Sequence, residues 1–166
     1  MKTALITGGA GFIAHHLIAR ILIQTDWNIV TLDRLDYSGN LNRLNDILLH
    51  ECSPNERKRV KVVFHDLKAE LNPLVRRETG KVDYILPLAA GSHVDRSIDY
   101  PMEFVLDNVV GTTNILEYAR QINESKKFIP QDSTIYKLIS DLQDWSTSNL
   151  GWEQAREKIV ENYGYD

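Results

Sequence analysis

The 166-residue sequence has one cysteine, no long apolar run and no excess of positive charge, and each of these shortages excludes a class of protein. A single cysteine, Cys52, cannot form an internal disulfide, which favours a reducing, cytoplasmic setting. No apolar run approaches the roughly 18 residues that cross a bilayer, and the first strand begins without an apolar leader. The net charge of -4 lacks the basic excess that a nucleic-acid partner requires. We therefore expect a globular protein with neither a membrane nor a nucleic acid as partner.

One glycine-rich stretch, residues 7–14, follows a short apolar strand and opens an apolar-periodic segment. Gly8 suits a tight turn, Gly11 lets the backbone approach a pyrophosphate, and Ala14 is small enough for a helix to pack on a strand. The helix then presents free N–H groups and a positive dipole end to an anion. The stretch is consistent with a phosphate site, and also with a strand-to-helix turn that holds no ligand.

Apolar periodicity predicts four strands that alternate with helices. Strands are expected over residues 3–7, 28–33, 60–64 and 82–86, helices over residues 12–23, 41–50, 67–79 and 101–124, and a surface loop over residues 53–59. This alternation predicts an α/β fold, a Rossmann-like doubly wound parallel sheet that is shortened. Its ligands bind where the strands end, at their carboxyl edge.

Several single residues carry expectations of their own. Asp33 ends the second strand 22 residues after Gly11, where an acid accepts hydrogen bonds from ribose hydroxyls and favours NAD over its 2′-phosphorylated form. The alternative is an acid that merely ends a strand, and Arg34 next to it can tolerate a 2′-phosphate. We expect His15 and His16 at the surface.

The long helix has one apolar face in this interpretation, and a polar residue, Asn108, lies on it. That face comprises Phe104, Val105, Val109, Thr112, Ile115, Leu116 and Ala119. Because a buried amide needs a hydrogen-bond partner, we expect Asn108 to have one.

The glycine stretch resembles the cofactor fingerprint of the extended short-chain dehydrogenase/reductase family. Residues 33–40 and 88–97 look, within that family, like the dTDP-glucose 4,6-dehydratases, and the resemblance extends over residues 1–129. It implies NAD as cofactor, a nucleotide-sugar near Ser92, and a homodimer formed through the long helix from Pro101. The NAD residues that it implies are Gly8, Gly11, Phe12 and Ile13 at the pyrophosphate, Asp33 at the ribose, Asp66 and Leu67 at the adenine, and Leu88, Ala89 and Ala90 beside the nicotinamide.

The sequence departs from that family in three places. Ala14 stands where the family usually has a third glycine, a position at which its pattern accepts a small residue. Gly91 stands where the dehydratases usually carry a glutamate. No Tyr-x-x-x-Lys occurs in the 166 residues, whereas family members use this tyrosine to remove the sugar hydroxyl proton. We therefore assign no catalytic residue and no metal ligand.

The domain organisation follows from where the resemblance ends. We expect an NAD-binding domain over residues 1–129, with a fifth strand beginning at residue 127, and a helical tail over residues 130–166 that packs on the same domain. Three functions stay open: an NAD-binding protein without independent catalysis, a non-catalytic regulatory or partner-binding module, and an enzyme completed by another chain.

Overall fold

The computed structural model describes residues 1–122. The predicted fifth strand, the tail helices and their packing lie outside these residues and stay predictions.

Four parallel strands form the sheet, in the order β3-β2-β1-β4. They are β1 (Thr3–Thr7), β2 (Asn28–Asp33), β3 (Val60–Phe64) and β4 (Tyr84–Pro87). The predicted bounds of the first three are correct, whereas β4 begins later than the predicted residue 82. The chain moves outward from β1 to β3 and then returns to the other side of β1, so the carboxyl ends of β1 and β4 flank the point where the winding reverses.

Helices connect the strands. They are α1 (Ala14–Gln24), α2 (Leu41–Glu51), α3 (Pro54–Arg57), α4 (Pro73–Thr79), α5 (Val94–Asp99), α6 (Pro101–Val105), a π-helical segment (Leu106–Val110) and α7 (Gly111–Ile122).

Helices α3, α4 and α5 differ from the sequence prediction. The segment predicted as a surface loop contains α3, because Ser53 and Glu56 form a reciprocal capping box around its first turn. Helix α4 begins only at Pro73, where the side chain of Asn72 accepts hydrogen bonds from the first free N–H groups. Helix α5 was not predicted, since it buries no residue and shows no apolar periodicity.

Both faces of the sheet are covered, as expected for a doubly wound fold. On one face Leu5 and Leu32 pack with α4 and α7 in a core cluster whose other members include Val75, Ile115 and Tyr118. Successive strand residues point to opposite faces, so Ala4 and Ile6 point to the other face, where α1 and α2 pack together. Within residues 1–122 no helix is long and apolar enough to cross a membrane.

The long helix buries only part of the predicted apolar face, in which Ile115 is buried as predicted. Gly111, Ile115 and Tyr118 are buried, whereas Val109 and Leu116 are 59% and 63% exposed. Two apolar stripes run along this helix in the sequence, and a periodicity argument cannot tell which of them meets the sheet.

Candidate functional site

The turn between β1 and α1 is built from glycines that pack closely on their neighbours. Gly8 adopts φ +73° and its N–H donates to the Leu32 carbonyl at 2.7 Å, so the predicted tight turn is present. A Cβ on Gly9 would lie 2.0 Å from Thr31 Oγ1. A Cβ on Gly11 would lie 2.9 Å from the Gly8 carbonyl oxygen, which shows that the turn itself excludes a side chain there.

The carboxylate of Asp33 joins the end of β2 to this turn. Its Oδ2 accepts a hydrogen bond from the Ala10 N–H at 2.9 Å, and its Oδ1 accepts one from the Leu35 N–H at 2.8 Å. The Ala10 carbonyl accepts in turn from the Asn40 N–H at 2.9 Å. Each carboxylate oxygen keeps a second lone pair, so the group that holds the turn also retains capacity for a hydroxyl donor.

His15 lies against the same turn and is buried, so the expectation of a surface position is wrong for it. Its Nδ1 lies 2.8 Å from the Gly11 carbonyl oxygen, and because a carbonyl can only accept, Nδ1 carries the proton. Burial lowers the pKa of His15, and the hydrogen bond to Gly11 only partly opposes this. His16 is exposed, as expected.

The loop after β4 is held at both ends. The hydroxyl of Thr7 accepts hydrogen bonds from the N–H groups of Leu88 and Ala89, at 3.1 and 3.0 Å. Asn108, in the π-helical segment, accepts from the Gly91 N–H at 2.7 Å and donates to the Gly91 carbonyl at 2.9 Å. The partner expected for Asn108 is therefore the backbone of this loop.

The long helix also holds the loop after β3. Asn114 Nδ2 donates to the Leu67 carbonyl at 2.7 Å, and a Cβ on Gly111 would lie 3.3 Å from Leu67 Cβ. Asp66, the preceding residue, is half-buried, and its Oδ1 accepts from the Lys68 N–H at 3.0 Å. One helix thus fixes two loops at the carboxyl edge of the sheet.

An ion-pair cluster lies beside the end of β2. The guanidinium of Arg34 donates to both carboxylate oxygens of Asp107, at 2.5 and 2.7 Å, and through Nε to Asp36 at 2.6 Å. The bond to Asp107 raises the pKa of Arg34. Burial raises the pKa of the Asp36 carboxyl, but hydrogen bonds from Ser38 and Arg34 outweigh it, and the net pKa is below its ordinary value.

All ten residues proposed for the cofactor lie where β1, β2, β3 and β4 end. They differ in exposure: Asp33 is 7% exposed, whereas Phe12 and Ile13 are 50% and 42% exposed. Those two residues precede α1, so the prediction that they belong to its buried apolar face is wrong. Ile13 is the N-cap residue of α1, so the turn still leads into the helix, as the sequence indicated.

The residues that hold these loops together were not predicted from the sequence. Asn40 contacts the glycine turn, Asp107 contacts Arg34, and Asn114 contacts Leu67. Each of these contacts joins two separate parts of the chain. Their only sequence signal is that polar side chains lie on helices or turns next to predicted ligand residues. Among residues 1–122 no group of three or more His, Cys, Asp or Glu has the geometry of a metal site.

Comparisons with known proteins match this fold. The family model described as GDP-mannose 4,6 dehydratase matches residues 5–135. The dTDP-glucose 4,6-dehydratase of Neisseria gonorrhoeae is 40% identical over 119 residues, which are 72% of this chain and 32% of that protein. The chain thus spans about a third of the length of the curated relatives it matches.

Two solved structures are similar over different lengths. The UDP-Glc/GlcNAc 4-epimerase of Campylobacter jejuni is 31% identical with a TM-score of 0.61, covering 74% of this chain and 34% of its own. The dTDP-glucose 4,6-dehydratase of Streptomyces venezuelae, solved with NAD and TYD, is 28% identical with a TM-score of 0.59, covering 99% of this chain and 53% of its own. The resemblance stated from the sequence is confirmed, and the chain belongs to the GDP-mannose 4,6 dehydratase family of nucleotide-sugar dehydratases and epimerases.

Proposed function

We propose that this chain binds NAD along the carboxyl edge of its sheet. The turn at Gly8, Gly11, Phe12 and Ile13 receives the pyrophosphate, and Asp33 accepts the ribose hydroxyls. Asp66 and Leu67 contact the adenine, and Leu88, Ala89 and Ala90 border the nicotinamide. The support from relatives is that the Streptomyces venezuelae dehydratase, similar over 99% of this chain, was solved with NAD bound.

One observation carries the proposal: the loops that end the four strands are tied to one another. Asp33 holds the glycine turn through Ala10, and Asn108 and Asn114 hold the loops after β4 and β3. A dinucleotide spans several such loops, so a site whose loops are already fixed loses less entropy when it binds. The helix amino terminus beside the turn supplies N–H groups for the pyrophosphate.

The site fits NAD in its chemistry. The glycine turn presents backbone rather than side chains, Asp33 keeps free lone pairs, and the residues after β4 are small. NAD, when bound, would supply hydride transfer to and from a sugar carbon. The chain's own part is to hold the two ends of the dinucleotide at a fixed separation.

The proposed role stops at binding for this chain alone. Its 166 residues contain no Tyr-x-x-x-Lys, the pair that in the resembling family removes the sugar hydroxyl proton. Loss of such a base costs about 10²–10⁴-fold in rate. We propose that a nucleotide-sugar is turned over only when another chain supplies that base. The related alternative is a regulatory module that binds NAD without any reaction.

Calorimetric titration of the full chain with NAD tests the binding claim. Asp66→Ala should weaken binding about tenfold or more, because a hydrogen bond to a charged group contributes about 1.5–3 kcal/mol. Glu70→Ala, an exposed acid in the same loop, is the matched control and should bind like the wild type. An absence of both heat and thermal shift at millimolar NAD would contradict the proposal.

Incubation with dTDP-glucose and NAD tests the catalytic limit. We expect no 4-keto sugar from the isolated chain. Clear turnover would refute the dependence on a second chain.

We also propose that the chain forms a homodimer through the exposed stripe on its long helix. Val105, Val109 and Leu116 are 45–63% exposed and lie at helical spacing. Light scattering after gel filtration should give twice the chain mass, and Val109→Lys should reduce it to the monomer. Gln24→Lys, on the exposed side of α1, is the control and should leave the dimer intact. A wild-type monomer at high concentration would contradict the proposal.

A further inference from the structure

The guanidinium of Arg34 is held by carboxylates from two parts of the chain. Asp107 receives two hydrogen bonds from it, and Asp36 receives a third. A third carboxylate, Asp66, lies 3.9 Å from Nη1. Each of the three nitrogens of Arg34 therefore donates a hydrogen bond to a carboxylate of the protein.

Asp107 is the member of this cluster that comes from a distant element. It lies in the π-helical segment, its side chain is only 10% exposed, and its two oxygens match the two terminal nitrogens of the guanidinium. Such bidentate pairs fix the plane of the guanidinium as well as its position. Asp36, in contrast, is two residues from Arg34 and also binds Ser38.

The charges of the cluster sum to a negative value. Arg34 and Lys68 are its cations, and Lys68 Nζ lies 3.3 Å from Asp66 and 3.7 Å from Asp107. Three carboxylates face these two cations, and Asp33 adds another negative charge next to Arg34 in the sequence. A phosphate brought here would meet an excess of negative charge and an arginine whose three nitrogens already donate to carboxylates.

We propose that Asp107 determines which dinucleotide the site accepts. By holding Arg34, it keeps the arginine that follows Asp33 in the sequence from binding a 2′-phosphate, so that the site takes the dinucleotide with two free ribose hydroxyls. Asp107 does not touch the cofactor; it is a positioning residue that acts through Arg34. The inference rests on the proposed function, in which Asp33 receives the adenosine ribose.

The Asp107→Asn variant separates charge from shape. Asparagine has nearly the same volume and accepts one hydrogen bond, so the fold is retained while one negative charge and one ion-pair contact are removed. One N–H of Arg34 then loses its acceptor, and two carboxylates instead of three face Arg34 and Lys68. We expect affinity for NADP to rise about tenfold, whereas affinity for NAD changes less than about threefold.

The experiment is calorimetric titration of the full chain with NAD and with NADP, in low salt. The double variant Asp107→Asn with Arg34→Gln should lose the gain in NADP affinity, because the released donor is then absent. Asp26→Asn is the control: it removes one exposed carboxylate at the opposite edge of the sheet and should leave the NAD-to-NADP ratio unchanged. Circular dichroism of each variant monitors the fold, and Asp107→Ser is titrated in the same way if Asp107→Asn does not fold.

The outcomes distinguish this inference from the function on which it rests. If the wild type binds neither dinucleotide, the proposed NAD site itself is wrong. If the wild type binds NAD but Asp107→Asn leaves the NAD-to-NADP ratio unchanged, the role of Asp107 is wrong and the NAD site stands. A gain in NADP affinity that persists without Arg34 would equally overturn the inference, since Arg34 is the group through which Asp107 acts.

Discussion

Asn108→Ala removes both hydrogen bonds that join the π-helical segment to the loop after β4. Each bond contributes about 0.5–1.5 kcal/mol to stability, so the pair contributes about 1–3 kcal/mol. Alanine has the higher helix propensity, which returns about 0.5 kcal/mol. The expected loss in the free energy of unfolding is therefore about 1.5 kcal/mol. The loop at Gly91 should also become more mobile, which lowers affinity for NAD.

Urea unfolding followed by far-ultraviolet circular dichroism measures this loss in the full chain. Asn45→Ala is the matched control, since Asn45 is an exposed asparagine within α2 and its replacement should be neutral or slightly stabilising. Asn108→Asp serves as a second variant: its carboxylate still accepts from the Gly91 N–H, but its second oxygen replaces a donor and repels the Gly91 carbonyl oxygen, so it should destabilise at least as much as alanine. A difference of less than about 0.5 kcal/mol between Asn108→Ala and Asn45→Ala would refute the reasoning.

Three other substitutions or conditions have defined outcomes. Arg59→Met should lower the free energy of unfolding by about 2 kcal/mol, because Arg59 donates to three backbone carbonyls at the end of α1 and in the following turn; urea unfolding measures it, with exposed Arg77→Met as control. The lowered pKa of His15 means that the unfolded chain takes up the proton first, so stability should fall as pH drops below about 6.5. His15→Gln should reduce this fall between pH 7 and 5, and an unchanged slope would contradict the assignment. Burial raises the pKa of the Cys52 thiol, so a thiol reagent should label Cys52 slowly in the native protein and rapidly in urea; equally fast labelling in both would be the contrary result.

The strands could be predicted because each is a short apolar run that ends at a turn residue. Thr3–Thr7 and Asn28–Asp33 have the predicted bounds for this reason. Helix bounds were predicted less well, because periodicity continues through a turn: Phe12 and Ile13 extend the apolar pattern of α1 but lie outside it. Helix α3 was missed since it buries no residue, although Ser53 and Glu56 carry the spacing of a capping box.

The location of the site could be predicted, but the contacts that hold it could not. A parallel sheet places its strand ends at one edge, so Asp33, Asp66 and Ala89 follow from strand assignment alone. The pairing of Arg34 with Asp107 depends on how far the long helix extends past the sheet, which a local pattern does not contain. For that reason the sequence alone predicted an Arg34 that can tolerate a 2′-phosphate.

The π-helical segment lies between α6 and α7 in the long helix, and it carries both Asp107 and Asn108. Each backbone hydrogen bond of a π-helix spans one more residue than a hydrogen bond of an α-helix. Deleting Val109 or Val110 would restore the α-helix and rotate everything before it by about 100° relative to α7. Ile115 and Tyr118 would keep their places against the sheet, while Asp107 and Asn108 would turn away from their loops together. A single-residue deletion can therefore remove the contacts that hold the loops of the site while the core beneath them stays packed.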